Sequence, residues 1–457
     1  MKNLTLENIA LACKGKLILV NADDAEKEVS SVIIDSRKCT KDSAFVATKG
    51  ERVDGHSFID QVWKNGALVV ICEDEPDEIN GNCIVVENSF VALKDIAEYY
   101  RMQLDVKITG IAGSVGKTST KEMVASVLSE KYNTQKTAGN FNNEVGVPLT
   151  IFSIDEKHEA AVVEMGISDF HEMSRLSKIV KPDNVIMTNI GPCHLEKLID
   201  LDGVLKAKSE IFESMNKRGT VIVNGDDEKL STIRRVNDKT PIYFGIKDKN
   251  DIYAKNIVNM GLEGSKCTIC TKEGSFDVHV KIPGEHMVLN ALAGTAAGLT
   301  HGMSLEDIKA GIENAKGISG RSNIIVKEDV ILIDDCYNAN PKSMKAAIDL
   351  LNSSGTVNIA ILGDMFELGE NEEKLHADIG TYISDKNVDV VVCVGNLSAH
   401  IYDSIDKKNI KKIYFSELSE CKDNISEILK EYKGTKKPAV LIKASHGMHF
   451  EELINLI

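Results

Sequence analysis

Residues 110–120 read Gly-Ile-Ala-Gly-Ser-Val-Gly-Lys-Thr-Ser-Thr, a run of residue types able to hold the phosphates of a nucleoside triphosphate. Gly113 and Gly116 let backbone N–H groups turn toward phosphate oxygens, Lys117 supplies a cation for the outer phosphates, and the Thr118 hydroxyl can reach a bound magnesium ion. The spacing is shorter than the common Walker form, because Ile111 stands where that form has glycine. A chance glycine-lysine turn is the plain alternative. The surroundings argue against it: residues 106–111 are a largely apolar run of strand type, and Met123, Val124, Val127 and Leu128 recur at helical spacing after Lys117.

Other chemically capable residues fall at the ends of apolar runs. Glu164 closes residues 160–164 and is a magnesium candidate at the carboxyl edge of a sheet, with a surface acid at a strand end as the alternative. His194 follows residues 184–188 and would emerge at the same edge, where a metal or phosphate role competes with that of an ordinary loop histidine. Asn140, Asn142 and Asn143 sit beside Glu144 in a loop whose amides can read a peptide or sugar, or can equally cap turns. Further on, Asp334-Asp335-Cys-Tyr337-Asn338-Ala-Asn340-Pro and Gly363-Asp364-Met-Phe-Glu367-Leu-Gly369 follow successive apolar runs and imply a second ligand-facing edge, with helix capping by Asn340 and Asp364 as the alternative.

The elements that must position these groups alternate between strand and helix patterns. Residues 1–104 read as a small α/β domain closing with a helix at 89–103, residues 105–318 as a parallel sheet with helices on both faces, and residues 319–457 as a second such sheet. The fold class expected is therefore α/β in three domains: a small α/β domain, a central mononucleotide-binding sheet with the phosphate loop, and a Rossmann-like C-terminal domain. Period-two alternation over 251–283 predicts an antiparallel extension, and Gly317-Ile-Ser-Gly320 is the best linker candidate.

Bulk properties narrow the class. The 457 residues are 43% hydrophobic and 27% charged, as in an ordinary globular protein of several cores. A formal net charge of -15 argues against nonspecific nucleic-acid binding, which needs a basic face. The apolar runs are too short to span a bilayer and the first eight residues lack a secretory layout, so the expected address is cytoplasmic. Ten scattered cysteines suggest free thiols, and Cys267 and Cys270, three apart on a strand, point to opposite faces rather than to a metal.

Taken together the motifs resemble the Mur ligase family over nearly the whole chain. The resemblance rests on Asp35-Ser-Arg37, Lys49-Gly-Glu-Arg-Val-Asp54-Gly-His56, the phosphate loop, Gly139-Asn-Phe-Asn-Asn-Glu144, Glu164-Met-Gly166, Asn189-Ile-Gly-Pro-Cys-His194-Leu-Glu196 and the two C-terminal motifs. The last three as a set favour the member that adds a dipeptide. The resemblance implies ATP-dependent ligation of D-alanyl-D-alanine to UDP-N-acetylmuramoyl-tripeptide, with ATP and Mg2+ as cofactors and a monomeric enzyme.

It further implies that Gly113, Ser114, Val115, Gly116, Lys117, Thr118 and Ser119 bind ATP, joined after closure by Asn290, Arg321, Asn338 and Asn340. Thr118, Glu164, His194 and Lys208 would surround the metal, with Lys117, Glu164, His194 and Lys208 catalytic. Lys208 is the match for a carbamylated lysine, although by itself it reads as a solvated cation paired in sequence with Lys206. Asp35, Ser36, Arg37, Asp54, His56, Asn140, Asn142 and Asn143 would bind the UDP-linked substrate. Ala444 and His446 depart from the glycine and arginine that the family pattern leads one to expect. A sibling ligase adding one amino acid, folylpolyglutamate synthase, and a nucleotide-dependent switch are the rival readings.

Overall fold

A computed structural model describes residues 1–50, 53–432 and 437–457. Glu51 and Arg52 of the first-domain motif lie outside the described residues. The chain divides into two compact units, the first made of Met1–Gly191, Leu201–Ile242 and Thr300–Gly302, the second of Pro192–Asp200, Tyr243–Leu299 and Met303–Ile457. Each carries α/β layers of the expected class.

The first unit begins with a five-stranded sheet in the order Lys16–Ile18, Asn82–Val85, Val69–Cys72, Ser43–Val46, Ser31–Ile33, in which only the Lys16–Ile18 pairing is antiparallel. Phe45, Val70, Cys72 and Cys83 pack on one side of it against Ile59, Val62 and Trp63. Its closing helix, Ser89–Arg101, is capped by the Asn88 side chain at Val91 N–H (2.9 Å) and buries Ala92, Leu93, Ile96 and Ala97.

The same unit continues into a parallel sheet ordered Thr220–Asn224, Asn184–Met187, Lys107–Ala112, Ala160–Glu164, Thr134–Lys136. Lys107–Ala112 lies between its two neighbours, and successive crossovers leave it on opposite sides. Its carboxyl end is therefore a topological switch point, where open α/β sheets leave a crevice for ligand. The residues after Ala112, Glu164 and Met187 converge there.

Arg101 fastens the helix Ser89–Arg101 to this sheet. Its guanidinium is buried and donates to Val180 O (2.8 Å), Leu104 O (3.3 Å) and Lys181 O (3.3 Å), with Asp183 at 3.4 Å. Asp183 in turn accepts the N–H of Ile108 at 2.8 Å, which sets the start of the phosphate-loop strand.

In the second unit, Ile252–Asn259, Ser265–Cys270 and Ser275–Val280 form the expected antiparallel strands. Beyond them lies a six-stranded sheet, ordered Asn323–Val326, Ile331–Asp334, Ala439–Lys443, Asn358–Gly363, Val390–Val394, Lys411–Phe415, parallel except for its first pair. Apolar clusters cover both faces, one around Ile348, Leu351 and Ile379, the other around Cys421, Ile425 and Phe450. Residues 317–320 form a tight turn: Arg321 N–H donates to Ile318 O at 3.0 Å, and buried Asp334 accepts Gly320 N–H at 2.6 Å. Among the described residues no helix is long and apolar enough to cross a membrane.

Replacing Arg101 by Met should keep the stem packed but remove the guanidinium from three carbonyls and from Asp183, which keeps the Ile108 N–H. Loss of one partner from a buried ionic network costs about 3 to 5 kcal/mol. Chemical denaturation of Arg101→Met should reveal a loss of that size, and a loss under about 1 kcal/mol would show that the anchor is dispensable.

Candidate active site

The phosphate loop is held open by its neighbour strand. Gly113 and Gly116 have φ of +152° and +82°, and a Cβ on Gly113 would lie 2.0 Å from Thr188 Oγ1. Glycine is required at the first position by space as well as by conformation. Asn189, just past Asn184–Met187, binds the loop at three points: its carbonyl accepts Ser114 N–H (3.0 Å), its Oδ1 accepts Val115 N–H (3.0 Å), and its Nδ2 donates to Val115 O (2.7 Å). Ser114 Oγ donates to Gly191 O and accepts Gly191 N–H, both at 3.0 Å.

The amides of Ser114 and Val115 are thus engaged within the protein. The N–H groups that helix geometry leaves pointing outward are those of the first turn of Lys117–Ser129, a turn able to meet an anion. Lys117 folds back on the loop, with Nζ 2.9 Å from Gly113 O and 3.4 Å from Ser114 O. Those carbonyls are weak partners for an ammonium beside phosphate charge.

Glu164 is the centre of the arrangement. It is only 1% exposed, and its Oε1 accepts from Thr118 Oγ1 (3.2 Å) and Asn142 Nδ2 (2.7 Å). Its Oε2 is buried with no hydrogen-bond partner. A buried carboxylate oxygen without a donor is costly unless a cation completes it. Lys121 Nζ approaches it to 3.9 Å. Thr118 and Glu164 meet as expected, and among the described residues no group of three or more His, Cys, Asp or Glu side chains forms a self-sufficient metal cage. One carboxylate and one hydroxyl with an unsatisfied oxygen suit magnesium, which commonly takes one or two protein carboxylates and completes its shell with substrate phosphates and water.

The amide loop serves several purposes. Asn142 faces Glu164, and Gly166 leaves it room: a Cβ there would come within 3.1 Å of the Asn142 side chain. Asn143 Oδ1 accepts Gly146 N–H (2.8 Å) and Val145 N–H (3.2 Å), holding the turn that leads into Gly146–Phe152. Asn140 is exposed. Glu144 forms a two-point pair with Arg175 at 2.5 and 3.0 Å, which holds its carboxyl below the usual range.

In the first-domain motifs, the Asp35 carboxylate receives Arg37 Nε and Nη2, each at 2.9 Å. Those hydrogen bonds lower its pKa to about 2, so the pair persists from neutral pH down through the ordinary carboxylate range and is lost only as pH falls toward 2. Ser36 lies between them in a single 3-10 turn. Asp54 accepts both His56 N–H (2.9 Å) and His56 Nδ1 (2.7 Å). His56 Nε2 accepts Glu73 N–H at 2.9 Å, so the proton resides on Nδ1. This histidine clamps two segments of backbone.

Lys208 is 2% exposed on Leu201–Ser209, which corrects its plain reading as a solvated cation. His194 belongs to the second unit, in a left-handed conformation with Nδ1 3.7 Å from Glu367 Oε2. Also in that unit, Asn290 is buried on His286–Thr300 with Nδ2 on Met287 Sδ at 3.1 Å. Asn340 caps Pro341–Asn352 in a capping box with Ser343. Asn338 Oδ1 accepts Ala339 N–H at 2.9 Å, and its carbonyl receives the buried Lys443 ammonium, also at 2.9 Å. The Tyr337 ring has Arg321 at 4.1 Å and stacks on His446 at 5.4 Å between centroids. Ala444 is fully buried, its Cβ 2.7 Å from where a Gly363 Cβ would lie, so the small pair 363/444 is matched by packing.

Sequence reasoning assigned no role to Asn189 or Lys121. Asn189 stands directly after a strand that neighbours the loop strand, a position from which an amide can reach the loop. Lys121 lies four residues after Lys117 and falls at helical spacing from the buried Val124 and Leu128, so its place on the apolar face was the signal that could have found it.

A phosphate loop on the switch point of a parallel sheet, with a buried carboxylate beside its threonine, defines a nucleotide-binding α/β enzyme. Family models for the Mur ligase family catalytic domain, the Mur ligase middle domain, and the Mur ligase glutamate ligase domain match residues 28–106, 111–298 and 320–446. A UDP-N-acetylmuramoyl-tripeptide–D-alanyl-D-alanine ligase of Haemophilus influenzae is 35% identical over 99% of this chain and 98% of its own. Among solved structures, MurF from Acinetobacter baumannii superposes with a TM-score of 0.89 at 33% identity, covering 99% of this chain and 98% of that one. MurF from Thermotoga maritima, solved with ADP, gives 0.81 at 26% identity over 93% and 96%. The chain belongs to the Mur ligase family.

Removing the Asn142 donor in Asn142→Ala should loosen the Glu164 carboxylate. A hydrogen bond to a charged group contributes about 1.5 to 3 kcal/mol. ATP affinity measured by calorimetry should fall roughly tenfold or more with magnesium present and hold steady in EDTA. An equal fall in both would place Asn142 outside the metal's surroundings.

Proposed function

We propose that this protein ligates D-alanyl-D-alanine to UDP-N-acetylmuramoyl-tripeptide at the expense of ATP, in the cytoplasm and as a monomer. The observation that carries the reading is the 35% identity to the Haemophilus influenzae ligase of that name across 99% of the chain. In this reading residues 1–104 hold the uridine nucleotide, 105–318 the ATP phosphates, and 319–457 close over the nucleotide and receive the dipeptide.

The tripeptide's terminal carboxylate attacks the γ-phosphorus of ATP, the bond to the β-γ bridging oxygen breaks, and ADP leaves behind an acyl phosphate. The dipeptide amine then adds to the acyl carbon, and the tetrahedral intermediate expels inorganic phosphate as the amine loses its proton. Both steps need positioning and charge neutralisation more than a protein nucleophile. The first turn of Lys117–Ser129 and the Lys117 ammonium meet the phosphates. Thr118 and Glu164 would hold magnesium, which neutralises phosphate charge when bound. Arg321, Asn290, Asn338 and Asn340 would bind the nucleotide, and His194 would join Thr118 and Glu164 as a metal ligand.

Lys208 has a specific part in the proposal. A buried ammonium facing a divalent cation would repel it, whereas a neutral lysine amine can add to CO2, releasing a proton and leaving a carbamate anion. Its burial supports a role other than surface solvation. Lys208→Ala should be nearly inactive and partly restored by high acetate, while Lys208→Arg should stay inactive; full activity in the arginine variant would remove the carbamate from the mechanism.

The reaction itself is tested by phosphate release. Both the UDP-linked tripeptide and the dipeptide should be required for sustained release, accompanied by the UDP-linked pentapeptide in the product's mass spectrum. Sustained release with neither substrate, or product carrying a single added amino acid, would overturn the assignment.

A further inference from the structure

Two lysines one helical turn apart on Lys117–Ser129 have different environments. Lys117 is partly exposed and rests on loop carbonyls, as befits a residue that meets ligand. Lys121 is 1% exposed and donates to Thr137 O at 2.8 Å. Its Nζ also lies 3.2 Å from Glu122 Oε1 and 3.9 Å from Glu164 Oε2. Thr137 is itself tied to Glu164, because its Oγ1 accepts Glu164 N–H at 3.0 Å. The Lys121 ammonium is therefore fixed from two sides, and it faces the one Glu164 oxygen that no hydrogen bond reaches.

We propose that Lys121 is a positioning residue and the resident counter-ion of Glu164, and that it makes the metal load with the nucleotide rather than before it. This rests on the reading of Glu164 as the metal's carboxylate. An isolated carboxylate buried to this degree is strongly disfavoured, and a fixed ammonium nearby offsets that cost while the site is empty. The same ammonium opposes a bare divalent cation, since it cancels the carboxylate charge and repels the ion at short range in a poorly screened interior. ATP brings negative charge of its own. With phosphates present the balance turns in favour of the cation, so nucleotide and metal enter together. Glu122 tempers the lysine from the other side and is itself paired with Lys136 at the surface.

Free Mn2+ measured by electron paramagnetic resonance reads this directly on the full chain without nucleotide. Wild type should bind Mn2+ weakly. Lys121→Gln, which keeps an N–H donor for Thr137 O but loses the charge, should bind one Mn2+ on the order of tenfold more tightly. The gain should vanish in Lys121→Gln/Glu164→Gln, and Lys121→Arg should stay as weak as wild type. Lys121→Met offers a second uncharged variant should the glutamine fail to fold. Unchanged or weaker Mn2+ binding in a folded, uncharged variant would overturn the proposal, because a merely structural lysine cannot strengthen metal binding by its removal. Failure of the underlying reading looks different: Glu164→Gln would then leave Mn2+ binding in the presence of an ATP analogue unchanged.

Discussion

A carboxylate buried at the carboxyl end of a parallel strand is the constraint around which the first unit is organised. Thr118 and Asn142 donate to one oxygen of Glu164, and the Lys121 ammonium stands off the other. Each of those groups comes from a different piece of chain, and each has been placed by something else. Thr118 belongs to the helix that starts at the phosphate loop, Asn142 is admitted by the missing side chain of Gly166, and Lys121 is pinned by the Thr137 carbonyl. The electrostatics of one residue thus draws the loop, the helix and the amide segment into a common geometry before any ligand arrives.

The backbone around it is equally determined. The loop strand sits between two parallel neighbours, so the residues at the carboxyl end of either neighbour can reach the loop. On one side that is Glu164; on the other it is Asn189, which occupies the Ser114 and Val115 amides and leaves the first helical turn to face an anion. Arg101 and Asp183 fix the opposite end of the strand, so its rise toward the switch point is set at both ends. Preorganisation of this kind suits phosphoryl transfer, in which donors placed in advance do most of the catalytic work.

Strand and helix order was legible in the sequence because apolar runs and helical spacing report burial directly. The phosphate loop was legible because glycine, lysine and threonine at those spacings have few other uses in that context. Polar side chains were harder. Asn142 and Asn143 are neighbours of identical type, yet one meets Glu164 while the other accepts backbone amides in the turn that follows, and only three-dimensional placement separates an amide's possible partners. Nor does the sequence say that the two ring nitrogens of His56 meet Asp54 and Glu73. Lys121 and Lys208 are the extreme cases: lysine is a surface residue by default, and only their helical spacing from Val124 and Leu128 and from Val204 places these two on buried faces.

The central claim is that the unpaired Oε2 of Glu164 awaits a divalent cation that arrives with nucleotide. Anomalous diffraction from crystals grown with Mn2+ and a non-hydrolysable ATP analogue tests it most directly. The account predicts a manganese peak bonded to Glu164 Oε2, with Thr118 Oγ1 and analogue phosphate oxygens completing its shell. A fully occupied metal held on the phosphates alone, with Glu164 still turned toward Thr118 and Asn142 and its second oxygen uncoordinated, would contradict it.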